Sequence, residues 1–198
     1  MKSKLVLAAG LVAFCETALA DDIGPYVYGS LGSALATINK AQADSQVSAA
    51  NGGASVQSSV KGDPLFYQMN LGYQLLARVG LQLGYGSTSS FRYSTAAPIA
   101  SEASKRLQVL ALNISSSFLL GGGFELVIRG GVANVHATGS GTTARFSRTD
   151  TQGVGGASLK YEIDRHLSVR LDWDSFKGPG GSQIGTVNTV GAGIGYNF

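Results

Sequence analysis

The 198-residue chain has room for one domain and a short additional segment, and only 14% of its residues are charged, against roughly 25% in soluble proteins. With 28 glycines, four prolines and a slightly positive mean hydropathy, it offers less polar surface than water normally demands. A formal net charge of +3 is too weak to argue for nucleic acid, and a single cysteine excludes an internal disulfide and a thiolate metal cluster.

The first twenty positions read as a secretory signal peptide. Lys2 and Lys4 give a basic start, Leu5 to Cys15 is apolar, and Ala18-Leu19-Ala20 forms a small-x-small cleavage site before Asp21-Asp22. The apolar run is too short for a spanning helix, which needs about 20 residues. A lipoprotein signal using Cys15 is the competing reading, but Phe14 is bulky where such signals carry a small residue. Cleavage divides the chain into a signal peptide, 1–20, and a mature domain, 21–198, and removes the cysteine. An exported chain without disulfides depends on packing and strand pairing for its stability.

The mature segment shows about eight stretches of period-two alternation, the mark of strands with one apolar face. YVYGSLGSA sets Val27 and Leu31 against Tyr28 and Ser30. LFYQMNLGYQL sets Leu65, Tyr67, Met69, Leu71 and Tyr73 against Phe66, Gln68, Asn70 and Gly72, and VGLQLGYG sets Leu81, Leu83 and Tyr85 against Gln82, Gly84 and Gly86. RLQVLALNISSSF changes phase: Leu107 and Val109 fall on one face, Leu110, Leu112 and Ile114 on the other, which predicts a bulge. FELVIRGGVANV, GGASLKYEI, LSVRLDWDS and the terminal TVNTVGAGIGYNF complete the set.

The connections alternate in length. Those near Leu76–Arg78, Leu119–Gly123 and Asp164–His166 are tight, whereas Leu35–Pro64, Ser87–Lys105, Thr138–Thr151 and Lys177–Gly185 are long and rich in Ser, Gly, Ala and Thr. All the long loops then leave one end of an up-and-down meander, as in outer-membrane barrels. A soluble lipid-binding calyx has the same periodicity but needs a water-facing surface rich in Lys, Glu and Thr. Here the polar face is Gly, Ser, Gln and Asn with a few charges of both signs, which suits a crowded interior. The expected fold is an all-β, eight-stranded antiparallel up-and-down transmembrane β-barrel, apolar outside, with Tyr73, Tyr85, Tyr161, Trp173, Tyr196 and Phe198 towards the membrane interfaces. So narrow a barrel is filled by its own side chains, so buried charges must pair. Glu125, Arg129, Lys160, Arg170 and Asp172 are the candidates for an interior ion-pair network.

YVYGSLG, LGYQL with VGLQLGYG, VIRGG, LSVRLDWD and GAGIGYNF together resemble the small barrels related to the transmembrane domain of outer membrane protein A and to outer membrane protein X. The resemblance spans the mature chain. It implies a location in the cell outer membrane, and it implies that Tyr196 and Phe198 act as the C-terminal signal read by the outer-membrane insertion machinery. The periplasmic wall-binding domain that often follows such barrels has no counterpart before Phe198, so wall anchoring is not implied.

Chemistry is sparsely signalled. His166-Leu167-Ser168 resembles the His-x-Ser of outer-membrane lipid A deacylases, but no Glu follows it in the later strands, and a turn histidine beside an inward serine is the simpler reading. His136 reads as a rim residue. Asp172 and Asp174, with Arg170 two residues below, suggest a salt-bridge ladder rather than an acid–base pair or Ca²⁺ ligands. Gly191, Gly193 and Gly195 precede no helix, so they are not a phosphate loop. No catalytic, cofactor or metal site is expected. Lys105, Arg106, Arg145, Arg148 and Lys177 fall in or beside the long loops, where Arg and Lys suit the phosphates of lipopolysaccharide. SSFRYSTAAPIASEASKRL reads as a hairpin projecting beyond the membrane, open to partner binding by edge pairing. The leading expectation is a monomeric, non-enzymatic outer-membrane protein with a structural or surface-interaction role, contacting lipid, lipopolysaccharide and a surface ligand through its loops. A narrow pore is the second reading and a lipid A-modifying enzyme the third.

Overall fold

The computed structural model describes residues 23–38, 44–45, 48–49, 52, 57–61, 64–97, 101–141, 145–179 and 184–198. The signal segment 1–20 and the hairpin tip at Pro98 lie outside them. Ten strands run in chain order: β1 (Gly24–Ile38), β2 (Gln57–Lys61), β3 (Leu65–Leu76), β4 (Val79–Thr88), β5 (Phe91–Ala97), β6 (Ser101–Gly121), β7 (Phe124–Gly141), β8 (Arg145–Glu162), β9 (Leu167–Lys177) and β10 (Ile184–Asn197). Eight of them close on themselves in the order β1-β3-β4-β6-β7-β8-β9-β10, with every neighbouring pair antiparallel. The closing ladder of β1 on β10 runs from Tyr26↔Asn197 to Ile38↔Ile184. This is the expected eight-stranded up-and-down barrel.

The three tight connections gather at one end. Gly121, Gly122 and Gly123 turn β6 into β7 with φ of +92°, +62° and +82°, a left-handed region that only glycine enters without strain. Asp164 shapes the β8–β9 turn: its Oδ1 accepts the amides of His166 (2.7 Å) and Leu167 (2.8 Å), and these bonds hold its carboxyl below the usual carboxylate range. The chain end is tied into the same rim by the Asn197 amide donating to His166 O at 2.8 Å and the Phe198 amide to Pro25 O at 3.1 Å.

At the other end the strands run on further than their composition suggests. β5 pairs with the start of β6 (Phe91↔Lys105 to Thr95↔Ser101), β2 adds to β5 (Val60↔Tyr93), and β7 and β8 remain paired out to Ser140↔Arg145. The projecting hairpin expected within Ser87–Lys105 is therefore present in the paired residues of β5 and β6, and much of Thr138–Thr151, expected as a loop, is also paired sheet. Beyond the membrane both faces of a sheet meet water, so the apolar alternation disappears while the backbone ladder continues.

Within the barrel the alternation sorts side chains cleanly. Met69 is 62% exposed, Leu171 60% and Ile194 61%, a surface that hydrocarbon tolerates and water does not. Tyr73, Phe124, Tyr161 and Tyr196 lie on this face towards the tight turns, and Tyr67, Tyr85 and Trp173 towards the opposite end. Along β3, the eleven steps from Leu65 to Leu76 rise about 28 Å at ~3.3 Å per residue and a tilt of about 40°, close to the ~25 Å apolar band of such barrels.

The phase change in β6 has a different cause from the expected bulge. The ladders of β6 with β4 and β7 run without a register shift from Leu107 to Phe118. Leu107 and Val109 are simply inside, buried with Ala34, Phe66, Ala111, Ala133, Val135, Ala137, Phe176 and Val187. Gly86 makes room here, because a Cβ on it would meet the Phe66 ring at 2.6 Å. The interior thus has two layers: an apolar plug in the half away from the tight turns and a polar, charged half beside them.

Candidate functional site

The charged layer follows from strand register. On the inward face of β7, β8 and β9, Arg129, Gly156 and Asp174 form one row, Val127, Ser158 and Asp172 the next, and Glu125, Lys160 and Arg170 the third. Arg129 and Asp174 sit on either side of a glycine, and their side chains meet over it: Nε to Oδ1 at 2.6 Å and Nη2 to Oδ2 at 2.8 Å. A Cβ on Gly156 would strike Asp174 Oδ1 and come within 3.0 Å of Arg129 Nε. Arg129 Nη1 donates to Ser158 Oγ and reaches Asp172 Oδ1 at 3.3 Å, and Ser158 Oγ donates to the same Oδ1 at 2.5 Å. Arg129, Asp172 and Asp174 are 4%, 5% and 6% exposed, so this pairing is shielded from water.

One row lower, Lys160 Nζ lies 2.8 Å from Glu125 Oε2 and 2.8 Å from Glu162 Oε1. Arg170 takes a different role from the one its sequence position suggests. Its guanidinium lies 4.1 Å from the Tyr28 ring centroid, a cation–π contact, while the partner of Asp172 and Asp174 is Arg129 on another strand. Glu125, Asp172 and Asp174 match Arg129, Lys160 and Arg170 in number, and the more exposed Glu162 adds a fourth carboxylate at the edge of the layer. Asp174 belongs to it, as the expected salt-bridge ladder with Asp172 implied, though its cation is Arg129 and not Arg170; Ser158 and Tyr28 also belong to it and were not among the residues singled out for pairing. Asp174 shared the parity of Asp172, and Gly156 in a strand pattern was the available sign of close approach.

Below the charges, a cavity of about 120 Å³ opens at the tight-turn end, roofed by Tyr28, Gln82 and Arg170 and walled by Glu125, Lys160 and Ser168. At the far end the basic residues are dispersed along strands. Lys105 and Arg106 lie in β6, Arg145 opens β8 opposite Ser140, Arg148 pairs with Ala137, and Lys177 ends β9. Lys105 is buried on the inward face above Leu107, whereas Arg106, Arg148 and Lys177 are exposed. The histidines are apart: His136 Nδ1 is 2.7 Å from Thr149 Oγ1, and His166 stacks on Tyr196 at 5.7 Å. Ser168, two residues from His166, is buried in the interior. Tyr196 also meets Phe198 edge to face at 5.1 Å, so the terminal aromatics and His166 form one cluster at the rim.

The family model for the outer membrane protein beta-barrel domain matches residues 6–198. The chain belongs to this family. This outer-membrane barrel superposes on the N-terminal β-barrel domain of OprF from Pseudomonas aeruginosa with a TM-score of 0.58 at 17% identity, covering 89% of this chain and 99% of that one. Neisserial surface protein A gives 0.63 at 11% identity, covering 88% and 97%. The Yersinia pestis attachment invasion locus protein Ail, in complex with the heparin analogue sucrose octasulfate, gives 0.51 at 17% identity, covering 89% and 100%. At these identities the likeness is one of fold. No curated protein matches the chain. Its place in the outer membrane puts the tight turns, and the cavity they surround, on the periplasmic side.

Arg129→Met leaves two buried carboxylates without a counter-ion and is expected to cost about 3–5 kcal/mol. Adding Asp172→Asn and Asp174→Asn should recover much of that loss. Urea unfolding of the refolded barrel, followed by heat-modifiable gel migration, measures both.

Proposed function

We propose that this outer-membrane barrel is a non-conducting, non-enzymatic surface protein whose role, envelope support or attachment, is carried by the sheet it raises above the membrane. The observation that carries the reading is the apolar plug. Phe66, Leu107, Val135, Phe176 and Val187 are each 5% exposed or less and fill the external half of the interior, where a conducting path needs water and polar lining. The interior charges sit beneath this plug and are engaged with one another, so they support the closed barrel rather than a permeation route. Against a lipid A-modifying activity, His166 is occupied with Tyr196 at the periplasmic rim and His136 with Thr149.

The external sheet supplies the interaction surface. Among the described residues β2 is the last strand of the order β2-β5-β6, an edge suited to strand addition by a partner segment. The exposed side chains of Arg106, Arg148 and Lys177 surround the base of this sheet, at the level of the lipopolysaccharide headgroups. Arg145 joins them by its place in β8, while buried Lys105 contributes little. Ail, on a similar fold, is seen in complex with the heparin analogue sucrose octasulfate, a precedent for polyanion binding by such a barrel. Tyr196 and Phe198, with their side chains on the periplasmic rim, are proposed to engage the insertion machinery during assembly, after removal of the signal peptide 1–20.

In planar bilayers the barrel is expected to show no steady conductance, whereas Phe66→Ala with Leu107→Ala and Val135→Ala should open measurable single-channel steps. Stable channels from the unaltered protein contradict the reading. Separately, Arg145→Ser with Arg148→Ser should lower lipopolysaccharide co-purification, and an unchanged yield removes that contact.

A further inference from the structure

We propose that the periplasmic cavity is a binding site for hydrogen phosphate. Four cationic side chains, Arg78, Lys160, Arg165 and Arg170, line it against one carboxylate side chain, Glu125. Lys160 is already held by Glu125 and Glu162, which leaves Arg170 at the roof and Arg78 and Arg165 at the mouth to set the sign of the field. Arg170 is only 6% exposed, and its Nε has no hydrogen-bond partner among the described residues. Its guanidinium carbon lies 4.1 Å from the Tyr28 ring centroid, a cation–π contact, and its N–H donors suit an oxyanion.

The second roof residue selects among oxyanions. Gln82 is 1% exposed, and its Oε1 is also without a partner. Arg170 and Gln82 both line the cavity, and a ligand that accepts and donates would satisfy the orphan donor and the orphan acceptor once these side chains turn towards it, each group left unmatched carrying a desolvation penalty of about 1–3 kcal/mol. Hydrogen phosphate offers oxygens to Arg170 and a P–OH to Gln82. Sulfate offers only acceptors, and chloride offers no directed bond. Ser168 on the wall supplies a further hydroxyl, whereas Ser115 donates to Gly80 O and Ser117 is bonded to Glu125. A volume of about 120 Å³ accommodates a tetrahedral anion, since one water occupies roughly 30 Å³ in the liquid.

The test titrates inorganic phosphate into the refolded, detergent-solubilised barrel and follows ³¹P line broadening and calorimetric heat, with sodium sulfate and sodium chloride at matched ionic strength. Saturable binding of phosphate at one site is expected, weaker for sulfate and absent for chloride. Loss of a charge-assisted bond in Arg170→Gln should weaken it about tenfold or more. Arg165→Gln, in an exposed turn that leaves the barrel intact, should weaken it severalfold, and Arg148→Gln at the opposite rim should not. Non-saturable heats, equal response to chloride, sulfate binding as tight as phosphate, or indifference to Arg165→Gln each overturn the assignment. Should Arg170→Gln fail to refold, the Arg165 variant and the sulfate comparison still decide it.

Discussion

Hydrocarbon offers a peptide group no hydrogen-bond partner, and each backbone N–H or C=O left unpaired there is penalised by several kcal/mol. The architecture follows from that one constraint. A sheet of these strands has to close, which it does through the β1–β10 ladder, and every side chain is then committed to either lipid or lumen. Leu31, Met69, Leu171 and Ile194 on one parity and Ser30, Asn70, Asp172 and Glu125 on the other are the two sides of this sorting. Where the constraint relaxes, beyond the membrane, β5, β6, β7 and β8 stay paired while their composition turns to Ser, Thr, Ala and Gly.

The lumen solves its own problem in two ways. Towards the outside it is filled with apolar side chains, which need no partners and exclude water. Towards the periplasm it is filled with charges, which need partners and find them across strands: Arg129 with Asp174 over Gly156, and Lys160 with Glu125. Breaking such a buried pair is far more damaging than never having built it, so the network fixes one register rather than adding much net stability. On the proposed function, the plug closes the barrel to permeation and the role falls to the external sheet. The charged layer leaves a one-sided, water-accessible pocket below it.

Much of this was legible in the residues. Val190, Ala192, Ile194 and Tyr196 step at period two because successive strand side chains alternate, and that rule is local, so fold and orientation follow from it. Leu107 and Val109 were seen to break the pattern but read as a bulge, since periodicity reports a change of phase and not that both lumen and lipid are apolar at that height. The pairing of Arg129 with Asp174 was hidden for another reason. Parity gives the face of each residue, whereas the partner depends on register between β7, β8 and β9, which connections and closure set together. Arg170, adjacent to Asp172 in the sequence pattern, was the obvious counter-ion and is instead stacked on Tyr28, a residue more than a hundred positions away. The projecting hairpin of β5 and β6 was legible, whereas the outward run of β7 and β8 was missed because water on both faces erases the alternation that marks a strand.

The account stands or falls on which face of the barrel meets lipid, and the chain holds one tryptophan with which to ask. Trp173 is 48% exposed on the outward face, near the external end of β9. Fluorescence of the barrel reconstituted in bilayers carrying brominated acyl chains measures its contact with hydrocarbon. Strong quenching that deepens as the bromines approach the level of the external interface is the predicted result. Emission that brominated lipid leaves untouched, with Trp173 shielded inside the protein, contradicts it.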